Sequence, residues 1–95
     1  MENTAIDNLN FELVGGEFAP GEAEKIMVNL LHQKINYHKL RNLKCLEGSG
    51  KPDQHSLNRI KELGESKKAF LDTVEDAKAK RLRLSINAKI SVELL

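Results

Sequence analysis

The chain has 95 residues, of which 40% are hydrophobic and 31% charged, and its formal net charge is +1. This composition is typical of a folded globular protein and argues against an intrinsically disordered chain. No apolar run approaches the roughly 20 residues that span a bilayer, and no basic segment followed by an apolar stretch opens the chain. We therefore expect a cytoplasmic protein that makes no membrane contact. The single cysteine, Cys45, cannot form an internal disulfide and suits a reducing compartment.

We expect residues 1–95 to form one small domain. A chain of this length buries only about 60–65% of its unfolded surface, so a second copy would add stability. Charge is unevenly distributed, because the residues before Lys25 include six acidic and no basic side chains, whereas the rest of the chain has 15 basic and 8 acidic ones. The acidic N-terminal arm is expected to lie against a basic body.

The N-terminal segment predicts a short strand. Residues 1–8 are mostly polar and are expected to be mobile. Leu9, Phe11 and Leu13 then alternate with their neighbours, which predicts a strand over residues 9–14 that ends at the glycine pair 15–16.

Two long helices are predicted next. Pro20 suits the first helical position and acidic residues follow it, so the first helix should span residues 20–46. Its apolar arc is broad enough to face two neighbours and includes Ala23, Ile26, Met27, Leu30, Leu31 and Ile35. Residues 47–53 predict a turn, with Asp53 as the cap of a second helix over residues 54–80. Its apolar stripe consists of Leu57, Ile60, Leu63, Phe70, Leu71, Val74 and Ala77. The short connection predicts an antiparallel hairpin.

The most regular pattern in the chain covers residues 82–94. Apolar and polar residues alternate there without exception, which predicts a long strand with one apolar face. The expected fold is α+β in the order β-α-α-β. The last strand is long enough to run along the hairpin, but the N-terminal strand would pair with only about half of it.

The unpaired half predicts a symmetric homodimer, joined across this strand or across the broad face of the first helix. The residues expected at a partner interface on this strand are Leu84, Ile86, Ile90, Val92 and Leu94.

Candidate catalytic motifs do not meet the geometry that their chemistry needs. Residues 48–51 resemble a phosphate-binding loop superficially, but Cys45 stands where its first glycine belongs and Pro52 follows the lysine. His38 and Cys45 are seven residues apart, about 10.5 Å along a helix and too far for a nucleophilic pair. We expect Cys45 to be a small buried hydrophobe. No pair of histidines has metal-ligand spacing. We predict no enzyme and no catalytic, cofactor or metal site.

A carboxylate cluster on the second helix is interpreted as a solvated helix face. It comprises Asp72, Glu75 and Asp76, and Asp76 lies four residues before Lys80 in the favourable orientation for an ion pair.

Two clusters of basic residues suggest nucleic-acid binding as an alternative function. They consist of Lys34, Lys39, Arg41 and Lys44 in the first helix and Lys78, Lys80, Arg81 and Arg83 at the end of the second. An antiparallel hairpin places them at opposite ends, so only a dimer would bring clusters together, and they would contact phosphates.

The favoured interpretation is a small non-catalytic protein-interaction or structural module that associates with itself. The alternative is a nucleic-acid-associated accessory or regulatory protein. The expected partner is a second copy of the chain, with another protein as the alternative. No cofactor is expected.

Overall fold

The computed structural model describes residues 8–95. Its elements are β1 (Asn8–Phe18), α1 (Pro20–Ser49), α2 (Gln54–Lys80) and β2 (Leu84–Glu93), and β1 pairs with β2 in an antiparallel sheet. This confirms the β-α-α-β architecture. The mobile start predicted for residues 1–8 lies outside the described residues except for Asn8, which is the first residue of β1.

Helix α1 begins without a polar side chain at its N-cap. Ala19 holds that position in an extended conformation, Pro20 is the first helical residue, and the Glu22 carboxylate accepts a hydrogen bond from the Ala19 N–H at 3.2 Å. This carboxylate supplies half of a capping box and complements the positive end of the helix. The helix continues past residue 46 to Ser49 and ends at Gly50, whose φ of 74° directs its N–H to the Leu46 carbonyl.

Helix α2 has the cap that the sequence predicts. The Asp53 carboxylate accepts a hydrogen bond from the Ser56 N–H at 3.3 Å. At the other end Arg81 adopts a left-handed conformation with φ 59°, and its N–H donates to the carbonyls of Ala77 and Lys78. Local chemistry at both ends therefore accounts for the bounds of α2.

The two helices are offset along the hairpin. The Asp53 N–H donates to Asn42 Oδ1 at 2.8 Å, and Ser56 contacts His38, so α2 starts level with residues 38–42 of α1. The chain doubles back after Gly50, and α1 extends past the start of α2. Residues 43–49 form this overhang, and all of them are exposed.

The hairpin encloses a small core. Its buried apolar side chains are Ala23, Leu63, Val74 and Ala77. The other residues of the predicted α1 stripe are partly buried, and in the predicted α2 stripe only Leu57 is exposed. The helical periodicity therefore identified the packed faces of both helices.

The two strands form a ribbon that is longer than the sequence predicts. β1 does not stop at the glycine pair 15–16 but continues to Phe18, and it pairs with β2 from Asn8 opposite Glu93 to Phe18 opposite Leu84. The prediction that half of the C-terminal strand lacks an intramolecular neighbour is therefore wrong.

The ribbon and the hairpin are two arms that diverge from one junction. The chain measures 49 × 49 × 15 Å, which a ribbon lying along the hairpin would not produce. Its radius of gyration is 17.6 Å, compared with about 12 Å for a compact chain of this length. Its accessible surface is 7280 Å², compared with about 5,500 Å² for a compact protein of this mass. The expectation that the C-terminal strand runs along the hairpin is wrong.

Candidate functional site

One face of the ribbon carries nearly all of its apolar side chains. Directly opposed residues of an antiparallel pair share a face, and five alternate pairs place apolar residues or glycine there. These pairs are Leu9 with Val92, Phe11 with Ile90, Val14 with Ala88, Gly16 with Ile86, and Phe18 with Leu84. The opposite face carries polar pairs such as Glu12 with Lys89 and Asn10 with Ser91.

A β-bulge at Leu13 keeps this face continuous. The register shifts between Glu12 and Val14, so Leu13 is an extra residue with no partner on β2. The apolar positions of β1 are odd-numbered before the bulge and even-numbered after it, which a search for strict alternation does not detect. Gly16 follows with φ 131°, a conformation that glycine adopts readily.

Exposure of the apolar face increases with distance from the helices. Phe18 and Leu84 at the junction are partly buried, whereas Leu9, Phe11 and Val92 near the far end are 44–56% exposed. The structure places four of the predicted interface residues on this face, namely Leu84, Ile86, Ile90 and Val92. Leu94 lies beyond the end of β2 and is 67% exposed.

A second candidate is a buried polar cluster between the helices. Ser56 Oγ donates to Asp53 Oδ2 at 2.9 Å and has no other hydrogen, so its 3.1 Å contact with His38 Nδ1 requires an Nδ1–H donor. His38 is 4% exposed and Ser56 is 0% exposed. His38 Nε2 is buried and has no hydrogen-bond partner among residues 8–95. The hydroxyl of Ser56 therefore requires a proton on Nδ1 of His38, and no side chain of the described residues bonds to Nε2.

The surroundings of His38 oppose its protonation. Burial is the largest cause that lowers its pKa, and the positive charges of Lys34, His55, Arg59 and Arg41 add to it. The Ser56 hydroxyl and N–H stabilise the charged carboxylate of Asp53 and lower its pKa, and Arg41, with Nε 3.5 Å from Oδ2, acts in the same direction.

Tyr37 lies beside this cluster and contacts two basic side chains, Arg41 and Lys34. Arg41 donates a hydrogen bond from Nη1 to Tyr37 Oη at 3.1 Å, which lowers the pKa of Tyr37. Lys34 Nζ lies 4.6 Å from the centre of its ring, a cation–π distance. These contacts occupy two of the basic residues that the sequence suggests for nucleic-acid binding.

The cluster contains serine, histidine and aspartate, but in the wrong order for nucleophilic catalysis. A catalytic imidazole stands between the hydroxyl and the carboxylate and takes the hydroxyl proton. Here Ser56 stands in the middle, donates to Asp53 and is fully buried. This geometry stabilises the hairpin and does not activate an oxygen nucleophile. Sequence analysis identified Asp53 as a cap but missed its link to His38, because that contact depends on the offset between the helices.

Cys45 is exposed, which corrects the prediction that it is a buried hydrophobe. It belongs to the overhang, where no residue of α2 covers it. Within residues 8–95, no group of three or more histidine, cysteine or acidic side chains could hold a metal ion.

The basic clusters lie at opposite ends of the hairpin, and four of their eight residues form ion pairs within the described part of the chain, one of them being Arg41 with Asp53. In the second cluster, Lys80 contacts Asp76 at 3.0 Å, Lys78 contacts Glu75 at 3.3 Å, and Arg83 contacts Glu17 at 3.8 Å. Arg81 caps α2, while Lys39 and Lys44 are exposed on α1. The predicted pair of Asp76 and Lys80 is confirmed. This arrangement does not form one basic surface on a single chain.

None of the helices in the described part of the chain is both long and apolar enough to cross a membrane. Comparison of the chain with protein-family models, curated proteins and solved structures returned no match.

Proposed function

We propose that this chain is a non-catalytic interaction module that associates with itself through the apolar face of its ribbon. The observation that supports this proposal is that five cross-strand pairs, four of them between two apolar residues and one between glycine and isoleucine, lie on one face of an arm that diverges from the helices. Exposed apolar faces of this kind mark interaction sites in folded proteins.

The energetics of the ribbon favour a partner. An isolated two-stranded sheet is marginally stable in water and gains stability when a third layer covers its apolar face. The chain exposes 7280 Å², about 1,800 Å² more than a compact protein of its mass. A standard interface buries about 800 Å² on each partner, so the excess surface is large enough for a stable dimer.

A non-catalytic role is part of the proposal. Its support is the hydrogen-bond order of the buried cluster, in which Ser56 donates to Asp53 and cannot be reached by a substrate at 0% exposure. We also propose that the module acts in the cytoplasm, where a reducing environment keeps the exposed thiol of Cys45 free.

The test compares the oligomeric states of two variants that each carry one substitution in β2. Val92→Lys places a charge on the apolar face at a position that is 46% exposed, and Ser91→Lys places the same charge on the polar face. Full burial of a valine contributes about 1.5–3 kcal/mol, so covering the exposed half of Val92 contributes about 0.7–1.5 kcal/mol on each subunit. Because a symmetric dimer loses this contribution twice, Val92→Lys should raise the dimer dissociation constant at least about tenfold. Sedimentation equilibrium should show a dimer for the wild type and for Ser91→Lys.

A wild-type chain that is folded by circular dichroism and monomeric at high micromolar concentration would refute the proposal. Equal dissociation constants for the two lysine variants would also refute it, because the apolar face would then be uninvolved.

A further inference from the structure

We infer that the hairpin carries an acid-sensitive latch at the end away from the ribbon: neutral His38 holds the start of α2 against α1, and protonated His38 releases it. The latch consists of His38, Asn42, Asp53 and Ser56, and the segment that it holds is the first two turns of α2, residues 54–61. The inference concerns a single chain and does not depend on the proposed self-association.

The apolar core does not extend to the start of α2. The buried residues of this helix are Ser56, Leu63, Val74 and Ala77. Among residues 54–61 only Ser56 is therefore buried, while Ile60 is partly buried and Leu57 is exposed. Because most helical stability in proteins comes from packing of an apolar face, the first two turns depend on the polar contacts of the latch. A segment held in this way can open locally while the rest of the helix stays folded.

The closed latch has no acceptor for a second proton on His38. Nδ1 already carries the proton that it donates to Ser56 Oγ, so an added proton goes to Nε2. Nε2 is buried, and within the described part of the chain it has no hydrogen-bond partner. A buried charged donor without an acceptor is strongly unfavourable. Because Ser56 and His55 of α2 contact the imidazole, moving the start of α2 away exposes the ring to water.

The charges around His38 add to this effect. The titratable groups that surround the imidazole are Lys34, Tyr37 and Arg41 on α1, Asp53 in the connection, and His55 and Arg59 on α2. The only carboxylate among them is Asp53, which already accepts a hydrogen bond from Ser56 and lies 3.5 Å from Arg41. Opening the latch separates the positive groups of α2 from those of α1 and lowers their repulsion of the imidazolium.

The direction of the pH dependence follows from these contacts. In the closed latch the pKa of His38 lies below its ordinary value of 6.5, because of burial and the surrounding positive charges. In the open latch the imidazole is exposed to water and binds a proton more tightly. Acidification below pH 6.5 therefore favours the open latch.

The experiment measures hydrogen exchange of single amides by NMR on the full chain at pH 7 and pH 5. Each observed rate is compared with the intrinsic rate at the same pH, which gives a protection factor. Amides of residues 57–61 donate to carbonyls at the start of α2, as Leu57 does to Asp53, and report the latch. Amides of residues 73–77 report the part of α2 that packs in the core. Imidazole ¹⁵N shifts follow the proton on His38.

The expected result is a loss of protection at one end of α2. At pH 5 the protection factors of residues 57–61 should fall by about tenfold, the scale set by leaving a buried donor unpaired. Residues 73–77 should lose much less. The midpoint of the loss should coincide with protonation of His38 Nε2 in the wild type. This comparison decides the question even if His38→Gln does not fold.

Two variants assign the effect to one imidazole. His38→Gln should remove the pH dependence of protection at residues 57–61, because the titrating group is absent. His55→Gln removes the neighbouring exposed imidazole and should keep the pH dependence, because His38 and the three surrounding cations Lys34, Arg41 and Arg59 remain.

Three outcomes would overturn the inference. Equal loss of protection at both ends of α2 would mean that the hairpin unfolds as a whole. Protonation of His38 without loss at residues 57–61 would mean that the closed latch accommodates the imidazolium. A pH-dependent loss in His38→Gln as large as that in the wild type would assign the effect to another group. None of these results bears on the oligomeric state, by which the proposed function is tested separately.

Discussion

His38 and Ser56 are hydrogen-bonded across the hairpin, with 3.1 Å between Nδ1 and Oγ, and both side chains are buried. Because Ser56 also donates to the cap residue Asp53, one hydroxyl links the middle of α1 to the first turn of α2. This link sets the offset between the helices and thereby leaves residues 43–49 exposed.

Replacing Ser56 with alanine should destabilise the hairpin. The substitution leaves His38 Nδ1 without a buried partner and removes one donor from Asp53. An unsatisfied buried polar group costs about 1–3 kcal/mol. Urea denaturation followed by circular dichroism should show this loss, whereas the matched change Ser66→Ala at an exposed position should leave the midpoint nearly unchanged. Equal midpoints for the two variants would contradict the structural role of the link.

Stability should fall on acidification in a window set by His38. Its pKa in the folded protein is below the ordinary value of 6.5, so the unfolded chain binds the proton more tightly. The contribution of His38 to stability is therefore fully present above pH 6.5 and is lost as the pH falls below that value towards the folded-state pKa. The pKa of Asp53 is also lowered, from 3.8, and its contribution is lost only in more acidic solution.

Thermal melts between pH 8 and pH 5 test this assignment. The wild type should lose melting temperature over the range, whereas His38→Gln should show a smaller slope because the titrating group is absent. A slope in His38→Gln as steep as that of the wild type would assign the effect to another group.

Two glycines should respond in opposite ways to alanine. A Cβ at Gly64 would have no heavy atom within 4 Å, so Gly64→Ala in α2 should stabilise by up to about 1 kcal/mol, or roughly 4–8 °C in melting temperature. Gly50 ends α1 at φ 74°, so Gly50→Ala should destabilise by about 1–2 kcal/mol. Melting temperatures measured at one protein concentration compare the two. A lower melting temperature for Gly64→Ala would mean that α2 requires this glycine.

Deleting Leu13 should preserve the ribbon. Without the bulge residue, β1 would alternate regularly, and Phe11 would still lie opposite Ile90. Deleting Asn10 instead would move Leu9 to the polar face, because side chains in a strand alternate. NMR contacts between Phe11 and Ile90 and the oligomeric state should be retained in the first deletion, and the contact of Leu9 with Val92 should be lost in the second. Loss of the ribbon on deletion of Leu13 would show that the bulge itself is required.

Features that depend on neighbouring residues were predictable from the sequence. Asp53 as a cap, the helical stripes and the alternation of β2 all follow from spacing within a few residues. β1 was predicted too short because Leu13 changes the parity of the pattern and two glycines follow it.

Features that depend on how the elements meet were not predictable in this way. The link between His38 and Ser56 requires the offset of the helices, and the exposure of Cys45 follows from the same offset. The divergence of the ribbon from the hairpin reflects the geometry of two short junctions, for which the chain carries no periodic signal.

The pairing of β1 with β2 also dictates an order of folding. Its contacts join residues as distant in the sequence as Asn8 and Glu93, so closing the ribbon early would require ordering a long flexible loop. Once the helical hairpin has formed, it holds Ala19 and Arg81 at one end. Pairing of β1 with β2 then no longer requires a long flexible loop to be ordered. Pulsed hydrogen exchange should therefore protect amides of α1 and α2 before those of β1 and β2. During synthesis, the helical hairpin would therefore form before β2 is available, and β1 would expose its apolar side chains without a paired strand.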